Sequence, residues 1–351
     1  MSRFQAANIN KINLGHKSCQ NPHIPYSVSR ILLLPKLEVS GLKAYYFTEY
    51  GTIRAVDGVN FEVSEGESLG IVGESACGKS TLAAALIQSI QSPGRMVEGR
   101  VTLGNIDLTG ISSSEYDSRV RWKRIAMVFQ GAMNALDPVY TIESQLREIL
   151  KEHNFQGKID DKIAESLEQV GLDLSIAKRY PHELSGGMKQ RVVIAMALML
   201  DPDILVADEP TTALDMLIQS QIISLLKKLQ KEKGITIVLI THDLALVSQI
   251  TDKLAIMYAG QLVEFSSTAD IYKNPRHPYT QALIEAIPQL RAKDRKINFI
   301  KGSPPSLLSP PTGCRFRDRC VHAMDVCGKD PPEFETEKGY VRCWLYEDLR
   351  E

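Results

Sequence analysis

Apolar and polar positions change their rhythm three times along the chain. From Leu37 onward they read as strands, over residues 37–47, 59–63 and 69–72. From about Ile111 to Leu200 the pattern is mostly helical, including residues 141–153 and 162–170. Strand and helix then alternate. Ile204-Leu205-Val206-Ala207 is short and continuously apolar, as expected of a strand buried on both faces. Leu214, Leu217, Ile218, Ile222, Leu225, Leu226 and Leu229 recur at helical spacing up to Gly234, which has the chemistry of a C-cap. Ile237-Val238-Leu239-Ile240 is the next buried strand. The pattern predicts an α/β core with a helical insertion. Residues 1–36 carry no clear periodicity and read as a disordered tail or an added extension.

Composition narrows the class without deciding it. The 351 residues are 24% charged and 44% hydrophobic, an ordinary globular balance. A net charge of −1 gives no support to a nucleic-acid binder working by phosphate neutralisation. The longest apolar run, Val192 to Leu200, is too short to span a bilayer. The first thirty residues lack the charged, apolar, small-residue order of a secretory signal. The expected location is the cytoplasm, with docking at a membrane left open.

Between the 69–72 strand and the following apolar helix lies Gly73-Glu74-Ser75-Ala76-Cys77-Gly78-Lys79-Ser80, with Thr81 next. It fits G-x-x-x-x-G-K-[ST]. A turn held between strand and helix aims backbone N–H groups at one point, where the helix dipole also favours anions. Lys79 is expected to reach the β- and γ-phosphates, and the Ser80 hydroxyl to take a place on Mg²⁺. A chance glycine-rich turn would match on the order of one time in a hundred in a chain this long. The sequence thus predicts a nucleoside triphosphate site.

Asp208-Glu209 ends the apolar 204–207 strand, and ligands of parallel α/β sheets gather outside the carboxyl ends of strands. Alone, an acidic pair there is more often a helix cap or a solvated loop. Downstream of a phosphate loop, Asp208 is expected to hold Mg²⁺ and Glu209 to polarise the attacking water.

Leu184-Ser185-Gly186-Gly187-Met188-Lys189-Gln190-Arg191 precedes an apolar helix; Ser185 has N-cap chemistry and the glycines permit close backbone approach. Beyond a plain helix start, this segment resembles the signature of ATP-binding cassette (ABC) ATPases, and the family's other motifs follow the same order. Gln130, closing Met127-Val128-Phe129-Gln130, resembles the Q-loop glutamine, also a Mg²⁺ ligand. Asp215 in Thr212-Ala213-Leu214-Asp215 resembles the D-loop, and His242 in Ile240-Thr241-His242-Asp243 the switch histidine. Tyr46, with Tyr45 and Phe47 beside it, resembles the aromatic that stacks on adenine. The resemblance implies an ABC-type P-loop NTPase core, with a RecA-like and an antiparallel β subdomain, over 37–265. A helical subdomain is implied at about 111–200. It also implies ATP hydrolysis in a head-to-tail dimer, in which Ser185 and Gly187 contact the γ-phosphate bound by the partner. One departure is Ala76, where this subfamily usually has Gly. The extra methyl is tolerable only at negative φ, and nucleotide binding is expected to survive.

Tyr180-Pro181-His182-Glu183 and Asn274-Pro275-Arg276-His277-Pro278-Tyr279-Thr280 resemble the dipeptide and oligopeptide importers, a group that also includes nickel and oligosaccharide systems. This implies a second related ATPase subunit, two integral membrane permease subunits and an extracellular substrate-binding protein. It also implies a place on the cytoplasmic face of the membrane. A proline-rich linker over 302–313 leads into a small cysteine-rich C-terminal domain, counted from 266 to 351. Cys314, Cys320, Cys327 and Cys343 favour metal over disulfides in a cytoplasmic protein. Their spacing lacks the paired C-x₂-C of structural zinc. Four thiolates could hold a [4Fe–4S] cluster, as the same pattern does in some peptide-importer ATPases; zinc, or free or oxidised thiols, are the alternatives. Arg315, Arg317 and Arg319 are expected to offset the thiolate charge. Cys19 and Cys77 are read as bystanders.

Overall fold

The structure, a computed structural model, describes residues 36–287 and 300–350; the expected extension, Lys36 apart, and Cys19 lie outside the described residues. The chain opens with β1 (Leu37–Thr48), β2 (Gly51–Val63) and β3 (Ser68–Val72), then α1 (Lys79–Leu86), β4 (Gly94–Leu103) and β5 (Ile106–Asp107). Next come α2 (Ser113–Arg119), β6 (Ile125–Val128), α3 (Ile142–Glu152), α4 (Ile159–Gln169) and α5 (Gly186–Leu198). The alternating part holds β7 (Ile204–Asp208), α6 (Met216–Lys233), β8 (Thr236–Thr241), α7 (Leu244–Val247), β9 (Lys253–Tyr258) and β10 (Gln261–Ser267). It continues through α8 (Thr268–Lys273) and α9 (Pro278–Glu285) to β11 (Phe334–Thr336) and β12 (Gly339–Val341).

Two sheets organise these elements. One is antiparallel, in the order β2-β1-β4-β5; the other runs β11-β12-β10-β9-β3-β8-β7-β6. In the second, β9, β3, β8, β7 and β6 are mutually parallel, while β10, β12 and β11 join antiparallel. The C-terminal strands therefore extend the same sheet that carries the phosphate loop. Every residue of β3, β7 and β8 is buried, the signature of parallel strands covered on both faces. Alternate side chains enter two cores. Leu205, Ala207, Ile237 and Leu239 pack with the helices α3–α6. Ile204, Val206, Val238 and Ile240 pack with α1 and the antiparallel sheet.

The sequence pattern and the structure part company in two places. The stretch read as mostly helical contains β6, a four-residue apolar run that joins the parallel sheet beside β7. So short a run carries no period that separates strand from buried helix. The strands β4 and β5 have no counterpart in the pattern. Half of β4 is exposed and it holds two glycines, so its alternation is faint. The predicted helix ending at Gly234 is α6, and Gly234 adopts φ 66° at its C-cap. Among the described residues no helix is long and apolar enough to cross a membrane.

The turn from β3 into α1 needs its glycines. A Cβ on Gly73 would run into the carbonyl oxygen of Met257, and one on Gly78 (φ 108°) into that of Ala55. Ala76 overturns the expectation of a negative φ: it lies in the left-handed region at φ 62°. Ala76 is exposed, so the cost is one of local backbone strain. Replacing it with glycine relieves that strain while adding some unfolded-state entropy. Ala76→Gly is therefore expected to stabilise the chain by about 1 kcal/mol or less. Urea unfolding would check this, and a lowered midpoint would show that Ala76 carries no strain.

Candidate active site at the carboxyl edge of the parallel sheet

Four parallel strands end on one line. Val72 pairs with Thr241, Asp208 with Ile240, and Val128 with Ala207. The residues that follow them, Gly73 after β3, His242 after β8, Glu209 after β7 and Gln130 after β6, are delivered to one edge.

Lys79, only 6% exposed, folds its ammonium back onto the loop, donating to the carbonyls of Gly73 at 2.8 Å and Glu74 at 3.0 Å. Cys77 is buried beneath the loop, and burial raises its thiol pKa despite the nearby Lys79 charge. That suits the bystander role read from the sequence. Tyr46 is the member of its aromatic trio that reaches this region, its hydroxyl 3.4 Å from that of Thr81. Tyr45 bonds instead to Asp57, and Phe47 lies under the Arg95 guanidinium.

Asp208 is 2% exposed, and its Oδ1 has no hydrogen-bond partner. Burial lifts its pKa above the ordinary value, a hydrogen bond from Ser80 opposes this, and the Glu209 charge adds to it. A buried, unpartnered carboxylate oxygen beside a loop hydroxyl fits a hard cation, so Ser80 and Asp208 suit Mg²⁺.

Glu209 takes the left-handed conformation, φ 47°, with its N–H bonded to the Ile240 carbonyl at 2.8 Å. Three side chains meet its carboxylate: Gln130 Nε2 at 3.1 Å, the Thr212 hydroxyl at 2.8 Å and His242 Nδ1 at 3.2 Å. Burial pulls its pKa upward, but the bonds from Thr212 and His242 and the nearby positive charges prevail, and the pKa lies below the ordinary value. Glu209 is ionised at neutral pH and faces groups that can orient a water. Thr212 was within a quoted motif but unassigned; hydroxyl position three residues past Glu209 was its signal.

Ser185 caps α5, accepting the Met188 N–H at 3.3 Å, and Asp215 caps α6, accepting that of Ile218 at 3.0 Å. Ser185 and Gly186 are exposed; Gly187 is buried where a Cβ would press on Ile218. Among the described residues no hydrogen bond or ion pair joins 185–187 to this chain's own phosphate loop.

The cysteine region departs from expectation. Cys314, Cys320, Cys327 and Cys343 are free thiols, and every pair among them interacts electrostatically. Burial pushes Cys314 up to about 11 and Cys343 up to about 12. Yet among the described residues no three His, Cys, Asp or Glu converge to hold a metal ion, so neither the expected [4Fe–4S] cluster nor zinc is shown there. The arginines do not serve the thiolates either. Arg315 pairs with Asp57, Arg319 with Glu74 and Arg317 with Asp318, since carboxylates take up these cations.

Comparison with known proteins identifies the family. The ABC transporter family matches residues 56–212, and the oligopeptide/dipeptide transporter C-terminal region matches 263–327. The dipeptide transport ATP-binding protein DppD of Caldanaerobacter subterraneus subsp. tengcongensis is 43% identical over 320 residues, covering 90% of this chain and 98% of the relative. The oligopeptide transport ATP-binding protein AppD of Bacillus subtilis is 43% identical, covering 89% and 97%. OppD of Escherichia coli, of the same description, is 41% identical, covering 87% and 91%. A bacterial ABC transporter cassette solved as a dimer matches with a TM-score of 0.59 at 30% identity, covering 66% of this chain and 98% of that one. Similarity that runs through both the cassette and the C-terminal region means that this chain is an ABC ATPase and belongs to the ATP-binding subunits of the dipeptide and oligopeptide importer family.

Proposed function

We propose that the chain hydrolyses ATP at the edge formed by residues 73–81, Asp208 and Glu209, and that this powers peptide uptake through membrane permease subunits. The observation that carries the reading is the convergence of Gln130, Thr212 and His242 on an ionised Glu209, one residue beyond Asp208 with its unpartnered Oδ1. Glu209 accepts the proton of the attacking water, and His242 and Gln130 hold the carboxylate and that water in line. Lys79 leaves the Gly73 and Glu74 carbonyls for the phosphates. Ser80, Asp208 and Gln130 hold Mg²⁺, which when bound draws off charge developing on the phosphate oxygens. Tyr46, beside Thr81, offers its ring to the adenine.

Ser185, Gly186, Gly187 and Asp215 act on the nucleotide of a second cassette, since Ser185, Gly186 and Asp215 are exposed and 185–187 make no bond to their own phosphate loop. That partner is a related ATPase subunit, and the assembly sets this chain at the cytoplasmic face of the membrane, against two permeases served by an extracellular binding protein. Peptide is the favoured solute because the relatives are named for dipeptide and oligopeptide transport.

At the C-terminus the favoured group is a [4Fe–4S] cluster on Cys314, Cys320, Cys327 and Cys343. Four free thiols within electrostatic reach of one another supply the donor set. Anaerobically purified protein is expected to carry about four irons per chain with a visible charge-transfer band. Iron-free, colourless protein from that preparation would remove the cluster.

Glu209→Gln is expected to bind ATP, trap a closed dimer and lose at least about a hundredfold in turnover; turnover near wild type would take Glu209 out of the base role. Asp208→Asn separates two effects. A folded-state acid pKa raised above its unfolded value means the ionised form destabilises the fold, and that penalty is absent below the unfolded pKa and reaches its full size as pH rises through the folded pKa. The nucleotide-free variant should therefore melt slightly higher than wild type at neutral pH, yet gain no added stability from MgATP over ATP alone. Calorimetry reads both, and full Mg²⁺-dependent stabilisation in the variant would free Asp208 from the metal.

A further inference from the structure

All three polar groups of Glu74, the residue just inside the phosphate loop, are engaged. Its carbonyl accepts from Lys79 Nζ at 3.0 Å. Its N–H donates to the Tyr279 hydroxyl at 2.9 Å. Its carboxylate takes a two-pronged bond from Arg319, Nη1 to Oε2 at 2.7 Å and Nη2 to Oε1 at 2.9 Å. The last two partners stand 205 and 245 residues downstream, in the C-terminal region.

Both are held firmly. Tyr279 is fully buried, its ring 4.6 Å from that of Tyr258 and 5.4 Å from that of Phe316. Its backbone N–H donates to His277 Nδ1 at 3.0 Å, so α9 begins with its own cap. The backbone N–H groups of Arg276 and His277 donate to the buried Glu264 carboxylate, each at 2.9 Å, anchoring the turn to β10. Burial keeps His277 neutral, its pKa pushed down to about 3, so the cap stays an acceptor. The Arg319 side chain is 7% exposed and also donates to Tyr258 Oη at 3.2 Å and to the Lys301 carbonyl at 2.9 Å. Four residues earlier, Arg315 bonds Asp57 and the Ala259 carbonyl, so the segment carrying Arg319 is pinned to the cassette on its other side.

We propose that Tyr279 and Arg319 are positioning residues for the nucleotide, bracing the phosphate loop through Glu74 in the shape that accepts phosphate. Lys79 is the loop's third tie, and it is the one that must leave when phosphate arrives. With Tyr279 and Arg319 in place, the loop keeps its shape through that exchange and loses little further freedom on binding. Without them, the ordering cost falls on the binding step. The C-terminal region thereby contributes to ATP affinity without touching the nucleotide. The proposal rests on ATP occupying residues 73–81.

The test is equilibrium binding of MgATP and MgADP to the full chain. Arg319→Ala should weaken both about tenfold, and Tyr279→Phe, which keeps the ring packing, about fivefold. Arg319→Lys should fall between wild type and Arg319→Ala, since one prong survives. ATP and ADP should weaken in parallel, because the brace acts on the loop. Glu74→Ala combined with Arg319→Ala should be no weaker than the worse single variant, because both break one contact. Unchanged nucleotide affinity in Tyr279→Phe and Arg319→Lys, whatever their melting temperatures, would overturn the brace. So would full additivity of Glu74→Ala and Arg319→Ala. Lys79→Ala serves as the reference: if it also binds MgATP like wild type, the location of the nucleotide is wrong, whereas a weakened Lys79→Ala beside unaffected brace variants removes the brace alone.

Discussion

Backbone hydrogen bonds of the parallel ladder pair Val72 with Thr241, Asp208 with Ile240 and Val128 with Ala207, and every distance at the site follows from that register. A slip of one residue on β7 would carry Asp208 and Glu209 about 3.3 Å along the strand and turn each side chain to the opposite face. Gln130, Thr212 and His242 could then no longer share one carboxylate. The register is protected from such a slip by burial on both sides. Ile204 and Val206 enter one core and Leu205 and Ala207 the other, so displacement would misplace apolar groups in both at once.

The same edge concentrates conformational strain and electrostatic tension. Glu209 and Ala76 both hold left-handed backbones without being glycine. Asp208 holds a desolvated charge with an empty lone-pair direction. Lys79 bonds to the Gly73 and Glu74 carbonyls, which under the proposed function it surrenders to phosphate. The strained backbones and the desolvated carboxylate are unfavourable by themselves, and such features cluster where a site uses them.

The parts legible in the sequence were those whose chemistry is local. The phosphate loop, the Asp208-Glu209 pair and His242 each adjoin an apolar strand, so a short window contains both the reactive residue and the element that aims it. Gly234 announced the end of α6 in the same way. What the sequence concealed was long-range. Arg315 and Arg319 lie beside cysteines and were read as their counter-charges, yet each pairs with a carboxylate of the N-terminal third, at Asp57 and Glu74. Nothing in the spacing near Cys314 or Cys320 could reveal that closure. The sign of φ at Ala76 was hidden for a related reason, since turn geometry is imposed by where β3 and α1 must join. β4 escaped because an exposed strand has little need of apolar alternation.

The eight-stranded sheet ends in β11, whose three residues pair with β12 and leave the strand's other side unpaired. Beneath it, β10 is fully paired on one side by β9, but on the other meets β12 only at Glu264 and Phe265. So brief a terminal strand offers a neighbouring molecule few backbone groups to copy. The strands β11 and β12 thus act as a stopper on the sheet: a chain cut before Phe334 would leave β10 as a bare edge for strand addition, turning a folded subunit into a seed for aggregation.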